Sequence, residues 1–183
     1  MCWSYAHSQL TGGIGLLALT LQSLGYDVLA TDSAEAFSLL ERNVEKNRHS
    51  HPSHLEAKVL DWFTQPSTWT WNTAPGDNLQ TPTPLGPPFD LIVTTDTVYI
   101  EALFDPLLRT IKALAEGQKT PIILLALEER DHQSIEEFWR RSEEQGFTKK
   151  EIKIARLGKA VKQYLGWKRE DWQGVRVYEL FVR

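Results

Sequence analysis

Apolar and polar positions along this chain predict strands and helices in turn. Short apolar runs, typical of buried strands, fall at 27–31, 55–60, 89–96 and 121–127. Segments with apolar side chains three or four positions apart predict helices at 15–24, 33–47, 101–116 and 133–145. Because strand and helix alternate, these strands are predicted to pair in parallel. The last two strands, 147–154 and 175–182, are predicted to form an antiparallel pair at one edge.

The segment before the first helix is the weakest of the predicted strands. Residues 1–10 carry polar side chains such as Ser8 and Gln9 where a buried parallel strand is usually rich in Val, Ile and Leu. We therefore expect a degraded first strand. The predicted fold class is α/β, with a mostly parallel sheet.

A glycine-rich turn joins this first strand to the first helix. Gly13 and Gly15 can adopt backbone angles that a Cβ forbids, so the main chain there can approach a ligand closely. The helix that follows directs its free N–H groups into the turn. Asp32 ends the next strand, where a carboxylate can accept hydrogen bonds from two ribose hydroxyls. This arrangement predicts a nucleoside-cofactor site.

Composition narrows the class of protein. A length of 183 residues predicts one domain, 1–183, and 42% hydrophobic residues argue against general disorder. The net charge of −4 indicates no general affinity for nucleic acid. Cys2 is the only cysteine, which excludes an internal disulfide and a cysteine metal cluster. No apolar run approaches the ~20 residues that span a bilayer, and no signal peptide is evident. We expect a cytoplasmic protein, with the nucleus as the alternative location.

Two stretches fall outside the alternating pattern. Residues 64–88 hold six of the nine prolines and are predicted to form a surface insertion loop. His49, His51 and His54 lie in a connector, and their spacing alone is compatible with a metal ion. Because this spacing is undemanding and no cysteine lies close in sequence, we predict a plain loop there and no metal site.

Two kinds of nucleoside cofactor fit the glycine turn. Gly13, Gly15 and Ala18 have the spacing of the dinucleotide fingerprint, but a lone match of this kind is weak evidence. The predicted strands and helices form only one nucleotide-binding half, and they include no second domain that could bind a hydride acceptor. A nicotinamide oxidoreductase is therefore disfavoured. It would bind a dinucleotide and not S-adenosylhomocysteine.

The chain resembles the seven-β-strand, S-adenosylmethionine-dependent protein lysine methyltransferases that modify elongation factors and chaperones. Besides the glycine turn, the resemblance rests on Thr31-Asp32, Glu41-Arg-Asn-Val-Glu-Lys-Asn47, Leu60-Asp-Trp62, Phe89-Asp-Leu-Ile, Asp96-Thr-Val-Tyr99 and Glu128-Glu-Arg130. It implies a Rossmann-like methyltransferase three-layer sandwich, whose mostly parallel seven-stranded sheet has an antiparallel edge strand. It also implies S-adenosylmethionine as the cofactor, a protein substrate such as a translation elongation factor or a chaperone, and neither nucleic acid nor membrane as a partner.

The same resemblance implies a role for each motif residue. The cofactor-binding residues would be Gly13, Gly15, Asp32, Ser33, Asp61, Trp62 and Thr95. The catalytic residues would be Asp96, beside the transferred methyl group, and Tyr99, which would shape the lysine channel. Structural roles stay open as alternatives, because an Asp after a strand is often a helix N-cap and a Tyr often only packs.

The N-terminus departs from the family pattern. Gln9 stands where the family has an acidic residue, and Thr11 stands where it has its first motif glycine. We therefore expect a degenerate or truncated N-terminus. The alternative function is a catalytically inactive module of the same fold, which would bind a protein partner through the 64–88 insertion or the edge at Lys149 and Lys150.

Overall fold

A seven-stranded sheet forms the centre of the structure. The computed structural model describes residues 6–9, 13–47, 53–69, 85–117 and 119–183, the first of these ranges by its backbone only. The strands are β1 (Ala6–Gln9), β2 (Asp27–Asp32), β3 (Leu55–Val59), β4 (Leu91–Thr95), β5 (Ile122–Glu128), β6 (Phe147–Glu151) and β7 (Val175–Val182). Their order is β3-β2-β1-β4-β5-β7-β6, and the first five are parallel. β7 pairs antiparallel with both β5 and β6.

Helices cover both faces of this sheet. They are α1 (Leu16–Ser23), α2 (Ala34–Asn47), α3 (Phe104–Ala115), α4 (His132–Glu144) and α5 (Ile154–Leu165). Short 3₁₀ turns lie at Pro66–Thr68, Glu101–Leu103 and Arg169–Trp172. Within the described ranges, the helices are all too short or too polar to cross a membrane.

The buried side chains of β2 explain why the structure has three layers, with the sheet between two layers of helices. Val28 and Ala30 pack with α1 and α2, whereas Leu29 between them packs with the cluster that includes α3 and α4. Because successive strand residues point to opposite faces, these two clusters must lie on opposite sides of the sheet. The α/β/α sandwich therefore follows from the apolar run that predicted the strand.

The predicted elements are largely confirmed. The first strand forms, as four residues of β1 between β2 and β4, and the antiparallel pair lies at the predicted edge. Two predictions need correction. The strand predicted at 147–154 ends at Glu151, and a fifth helix, which the pattern analysis missed, begins at Ile154. The helix predicted at 101–116 starts with a 3₁₀ turn and becomes α-helical at Phe104.

Helix α5 carries a glycine that its backbone does not require. Gly158 has no left-handed φ, and a Cβ added there would lie 3.5 Å from Trp172 Cζ2, an ordinary packing distance. Gly158→Ala is therefore expected to raise the free energy of unfolding by about 0.5–1 kcal/mol, because alanine loses less backbone entropy on folding. Urea denaturation measures the change.

Gly25→Ala is the contrasting variant for this measurement. Gly25 ends α1 with a φ of +91°, which a residue with a Cβ rarely adopts. The same substitution should therefore destabilise the protein by about 1 kcal/mol there. A destabilised Gly158→Ala would show that α5 does not pack on Trp172 as described.

Candidate functional site

The glycine turn and the end of β2 are joined by a carboxylate. The N–H of Gly13 donates to Asp32 Oδ2 over 2.7 Å, and the N–H of Ser33 donates to Asp32 Oδ1 over 2.7 Å. Gly13 has a φ of +46°, and this left-handed conformation turns the chain toward Asp32. Both carboxylate oxygens thus accept backbone hydrogen bonds, which fix the orientation of Asp32 at the carboxyl end of β2.

Helix α2 holds the other side of the turn. Gly15 caps α1 with a φ of +84°, and a Cβ there would approach Leu40 Cδ1 to 3.2 Å. Asn43 donates from Nδ2 to the Ile14 carbonyl over 2.8 Å. Gly15 therefore meets both requirements for glycine, a left-handed φ and a close neighbour. Asn43 explains in physical terms why the 41–47 motif accompanies the glycine turn.

A cavity of about 170 Å³ opens beside Asp32. It lies at the carboxyl ends of neighbouring parallel strands, which is where open α/β sheets bind ligands. Its lining residues are Asp32, Ser33, Leu60, Asp61, Trp62, Phe63, Tyr99 and Leu103. We call it the Asp32 cavity. It combines a carboxylate, an aromatic ring and apolar walls.

The ring of Trp62 is fixed at the wall of this cavity by its neighbours. Trp62 is half-buried and packs against the larger hydrophobic cluster, and its carbonyl accepts a hydrogen bond from Arg109 Nη2 over 2.7 Å. Asp61 Oδ1 accepts the N–H of Phe63 over 2.8 Å, which shapes the turn after β3. The arrangement offers a preorganised apolar face and an adjacent carboxylate to a planar heterocycle.

Asp96 has a strained backbone directly after β4. Its φ of +54° is left-handed, which is uncommon for a residue with a Cβ. The structure holds it there from both sides, because the Asp96 N–H donates to the Ala126 carbonyl over 2.9 Å and the buried hydroxyls of Thr94 and Thr97 bond over 2.9 Å. The Asp96 side chain is exposed. Strain of this kind clusters at functional sites, which supports a role in chemistry.

A guanidinium lies within electrostatic reach of Asp96. The hydrogen-bonded carboxylate of Glu128 raises the pKa of Arg130, and the charge of Asp96 raises it further. Glu128 and Arg130 form an ion pair over 2.6 Å, and Glu129 pairs with Arg176 over 3.0 Å. Glu128, which ends β5, and Glu129, which follows it, are thus paired with arginines, and this pairing reduces their ability to attract a basic substrate.

The structure brings most of the predicted site residues to one end of the sheet. Asp32, Ser33, Asp61, Trp62 and Tyr99 line the same cavity, and Gly13 is bonded to it through Asp32. Thr95 ends β4 and Asp96 follows it, outside the residues that line the cavity. The side chain of Gln9 and the whole of Thr11 lie outside the described residues, so the predicted degeneracy of the N-terminus stays a prediction.

Helix capping does not account for the position of Asp32. Helix α2 begins at Ala34, and its first-turn N–H groups on Ala36 and Phe37 bond to the Ser33 carbonyl. By contrast, Asp131 is a true N-cap, because it accepts the N–H groups of residues 133 and 134 at the start of α4. The sequence analysis missed the supporting roles of Asn43, Arg109 and Arg130, which depend on contacts between distant segments.

Comparison with known proteins shows that the sequence of the chain is similar to those of enzymes. The sequence model of a family described as lysine methyltransferase matches residues 9–145. Protein N-lysine methyltransferase METTL21A of Mus musculus is 34% identical over 118 residues, which are 64% of this chain and 47% of that protein. The protein of the same name from Danio rerio is 31% identical over 134 residues, 73% of this chain and 55% of that one. The chain spans about half the length of these curated relatives.

Solved structures share the fold at low sequence identity. A carbon methyltransferase, CurJ, has a TM-score of 0.61 at 12% identity, and the match covers 100% of this chain and 50% of that one. Magnesium protoporphyrin IX methyltransferase from Synechocystis has a TM-score of 0.54 at 13% identity, over 98% and 71% of the two chains. At such identities the likeness shows the methyltransferase fold alone, and it confirms the predicted fold class.

Proposed function

The chain belongs to the lysine methyltransferase family, and on that premise we propose that it transfers a methyl group from S-adenosylmethionine to a lysine side chain of a protein substrate. The observation that carries the proposal is the Asp32 carboxylate. It is oriented by two N–H groups at the carboxyl end of β2 and lines a cavity together with Trp62. The curated relatives are named as enzymes, which disfavours the inactive partner-binding module.

The residues present fit the adenosine half of this cofactor. Asp32 offers carboxylate oxygens to two ribose hydroxyls, and Trp62 offers a fixed ring to the adenine. Among the described residues, no atom outside the turn lies within 4 Å of where a Cβ of Gly13 would be, which leaves room for the methionine end. When bound, the cofactor supplies a sulfonium methyl group for an in-line displacement.

The chain's own part in the reaction is mainly positioning. A neutral lysine amine has to be held in line with the methyl group, and correct alignment contributes much of the rate of such a displacement. We propose that exposed Asp96 orients the amine or takes up the proton it releases. Tyr99 would form the side of the lysine channel nearest the cavity.

The partner and location belong to the same proposal. We propose a translation elongation factor or a chaperone as the protein substrate, acted on in the cytoplasm. The motif resemblance supports the choice of an elongation factor or a chaperone, and the description of the relatives as protein N-lysine methyltransferases supports a protein substrate.

The first test is calorimetric titration of the purified chain with S-adenosylhomocysteine, with NAD as the control ligand. We expect micromolar binding of S-adenosylhomocysteine, because Asp32 and Trp62 line the cavity where its adenosine would lie, and no binding of NAD. An elongation factor is then incubated with the purified chain and labelled S-adenosylmethionine. Amino-acid analysis of the elongation factor should show labelled methyl-lysine. A folded chain that binds NAD and not S-adenosylhomocysteine would contradict the proposal.

A further inference from the structure

The segment between β6 and β7 differs in charge from the rest of the chain. Residues 153–169 contain six of the 20 Lys and Arg residues and none of the 24 Asp and Glu residues. They include α5, whose apolar positions recur at helical spacing although none of its residues is buried. A helix of this type has an apolar face and cations that remain available to a partner.

This segment leaves and rejoins the sheet at the end that carries the cofactor site. β6 and β5 both run antiparallel to β7, so β6 ends at the same end of the sheet as β5. The N–H of Glu129, just after β5, donates to the Gly174 carbonyl over 2.9 Å and ties the segment to that end. Arg130, the next residue, is within electrostatic reach of Asp96.

A groove of about 600 Å³ runs between α5 and the 3₁₀ turn Arg169–Trp172. Buried Trp172 forms its floor beneath Gly158, and the Arg169 guanidinium lies 4.1 Å above the Trp172 ring. Trp167 lines the groove and is 52% exposed. We call this feature the cationic groove. It combines an apolar floor with an exposed aromatic wall.

The side-chain ammonium groups of the lysines around the cationic groove form no ion pair in the described part of the chain. Lys162 and Lys168 line it, and neither takes part in any ion pair found among the described residues. By contrast, the arginines of β7 and of α4 are paired with glutamates. Unpaired cations beside an apolar groove are complementary to a ligand that carries carboxylates and an apolar side chain.

We propose that the cationic groove binds an acidic segment of the protein substrate, whose apolar side chain packs between Trp167 and the Trp172 floor. That the bound segment belongs to the substrate rests on the proposed function. The groove lies at the same end of the sheet as Asp32 and Asp96, the residues proposed to bind the cofactor and to act on the lysine. An acidic peptide fits the observations better than a lipid surface, because the apolar surface is concave.

The test is fluorescence anisotropy with a short labelled peptide of Glu and Asp that contains interspersed Leu and Phe. We expect micromolar binding that weakens as salt is added, and no binding of the same peptide with Lys in place of every acidic residue. The double variant Lys162→Glu, Lys168→Glu should lose at least about tenfold in peptide affinity. Lys46→Glu, which reverses the charge of an exposed lysine on α2, is the control outside the groove and should bind like the parent chain.

A second variant tests the apolar part of the groove without changing charge. Gly158→Leu places a side chain over Trp172 and should weaken peptide binding, whereas Gly158→Ala should preserve it. Unchanged peptide binding in both Gly158→Leu and the double lysine variant would overturn the proposal. Tighter binding of phosphatidylserine vesicles or of poly(U) RNA, lost in the double variant, would also overturn it, because the groove would then serve a membrane or RNA.

Titration with S-adenosylhomocysteine separates this inference from the proposed function. The three groove variants and the Lys46→Glu control should bind S-adenosylhomocysteine like the parent chain, because the Asp32 cavity shares no residue with the groove. If the parent chain binds the acidic peptide but not S-adenosylhomocysteine, the groove's preference stands and the methyltransferase proposal fails. If it binds S-adenosylhomocysteine but not the peptide, the groove proposal fails alone.

Discussion

Asp32→Ala is expected to weaken the binding of S-adenosylhomocysteine by at least about 100-fold. The substitution removes the carboxylate that would accept two ribose hydroxyls, and hydrogen bonds to a charged group are worth about 1.5–3 kcal/mol each. It also removes the acceptor of the Gly13 N–H, so the glycine turn loses its connection to β2. Isothermal titration calorimetry measures the affinity directly.

The control for this variant removes the same charge elsewhere. Glu136 is exposed on α4 and lines neither the Asp32 cavity nor the cationic groove, so Glu136→Ala should leave the affinity unchanged. Circular dichroism and urea denaturation establish that Asp32→Ala is folded. Parent-like affinity in a folded Asp32→Ala would mean that the ribose lies elsewhere and that Asp32 only supports the turn.

Asp96→Asn is expected to reduce methyl transfer at least about 100-fold while it changes the affinity for S-adenosylhomocysteine by less than about threefold. Asparagine keeps the size of the side chain and tolerates the left-handed backbone, so the variant removes little besides the negative charge. Transfer of labelled methyl to the protein substrate gives the rate, and calorimetry gives the affinity. Glu136→Gln is the matched carboxylate-to-amide control.

A second substitution at Asp96 separates strain from chemistry. Asp96→Gly relieves the left-handed backbone, so it should unfold at the same or a higher urea concentration than the parent chain and still be inactive. Retained activity in Asp96→Asn would exclude an ionised carboxylate from the reaction. A less stable Asp96→Gly would indicate that the side chain, rather than the backbone, holds the turn.

The sheet and its helices could be predicted because burial leaves a local signal. The apolar run of β2 and the spacing of Leu40 and Val44 in α2 report which side chains lose contact with water. Helix α5 was missed although Ile154, Leu157 and Val161 have helical spacing. Its many lysines and the absence of a fully buried face make it look like a solvated connector.

The site was predictable only in part, for a related reason. Asp32 and Trp62 stand directly after strands, so the parallel topology brings them to one edge. The roles of Asn43 and Arg109 depend on bonds to Ile14 and to Trp62, across 29 and 47 positions of the chain. Such contacts leave no periodic pattern in the sequence. The strained φ of Asp96 is likewise a property of the folded turn, not of residue type.

Hydrogen bonds between β6 and β7 hold together the two ends of the segment that connects these strands. Glu151 pairs with Tyr178, and the Ile152 N–H donates to the Val177 carbonyl over 2.8 Å. The segment therefore leaves β6 and enters β7 next to a hydrogen-bonded pair of residues. A short hairpin turn can join two antiparallel strands at such a position. Evolution can therefore lengthen, shorten or exchange residues 153–174 without disturbing the strands that carry the cofactor residues. Partner choice and cofactor binding can diverge independently in proteins built on this plan.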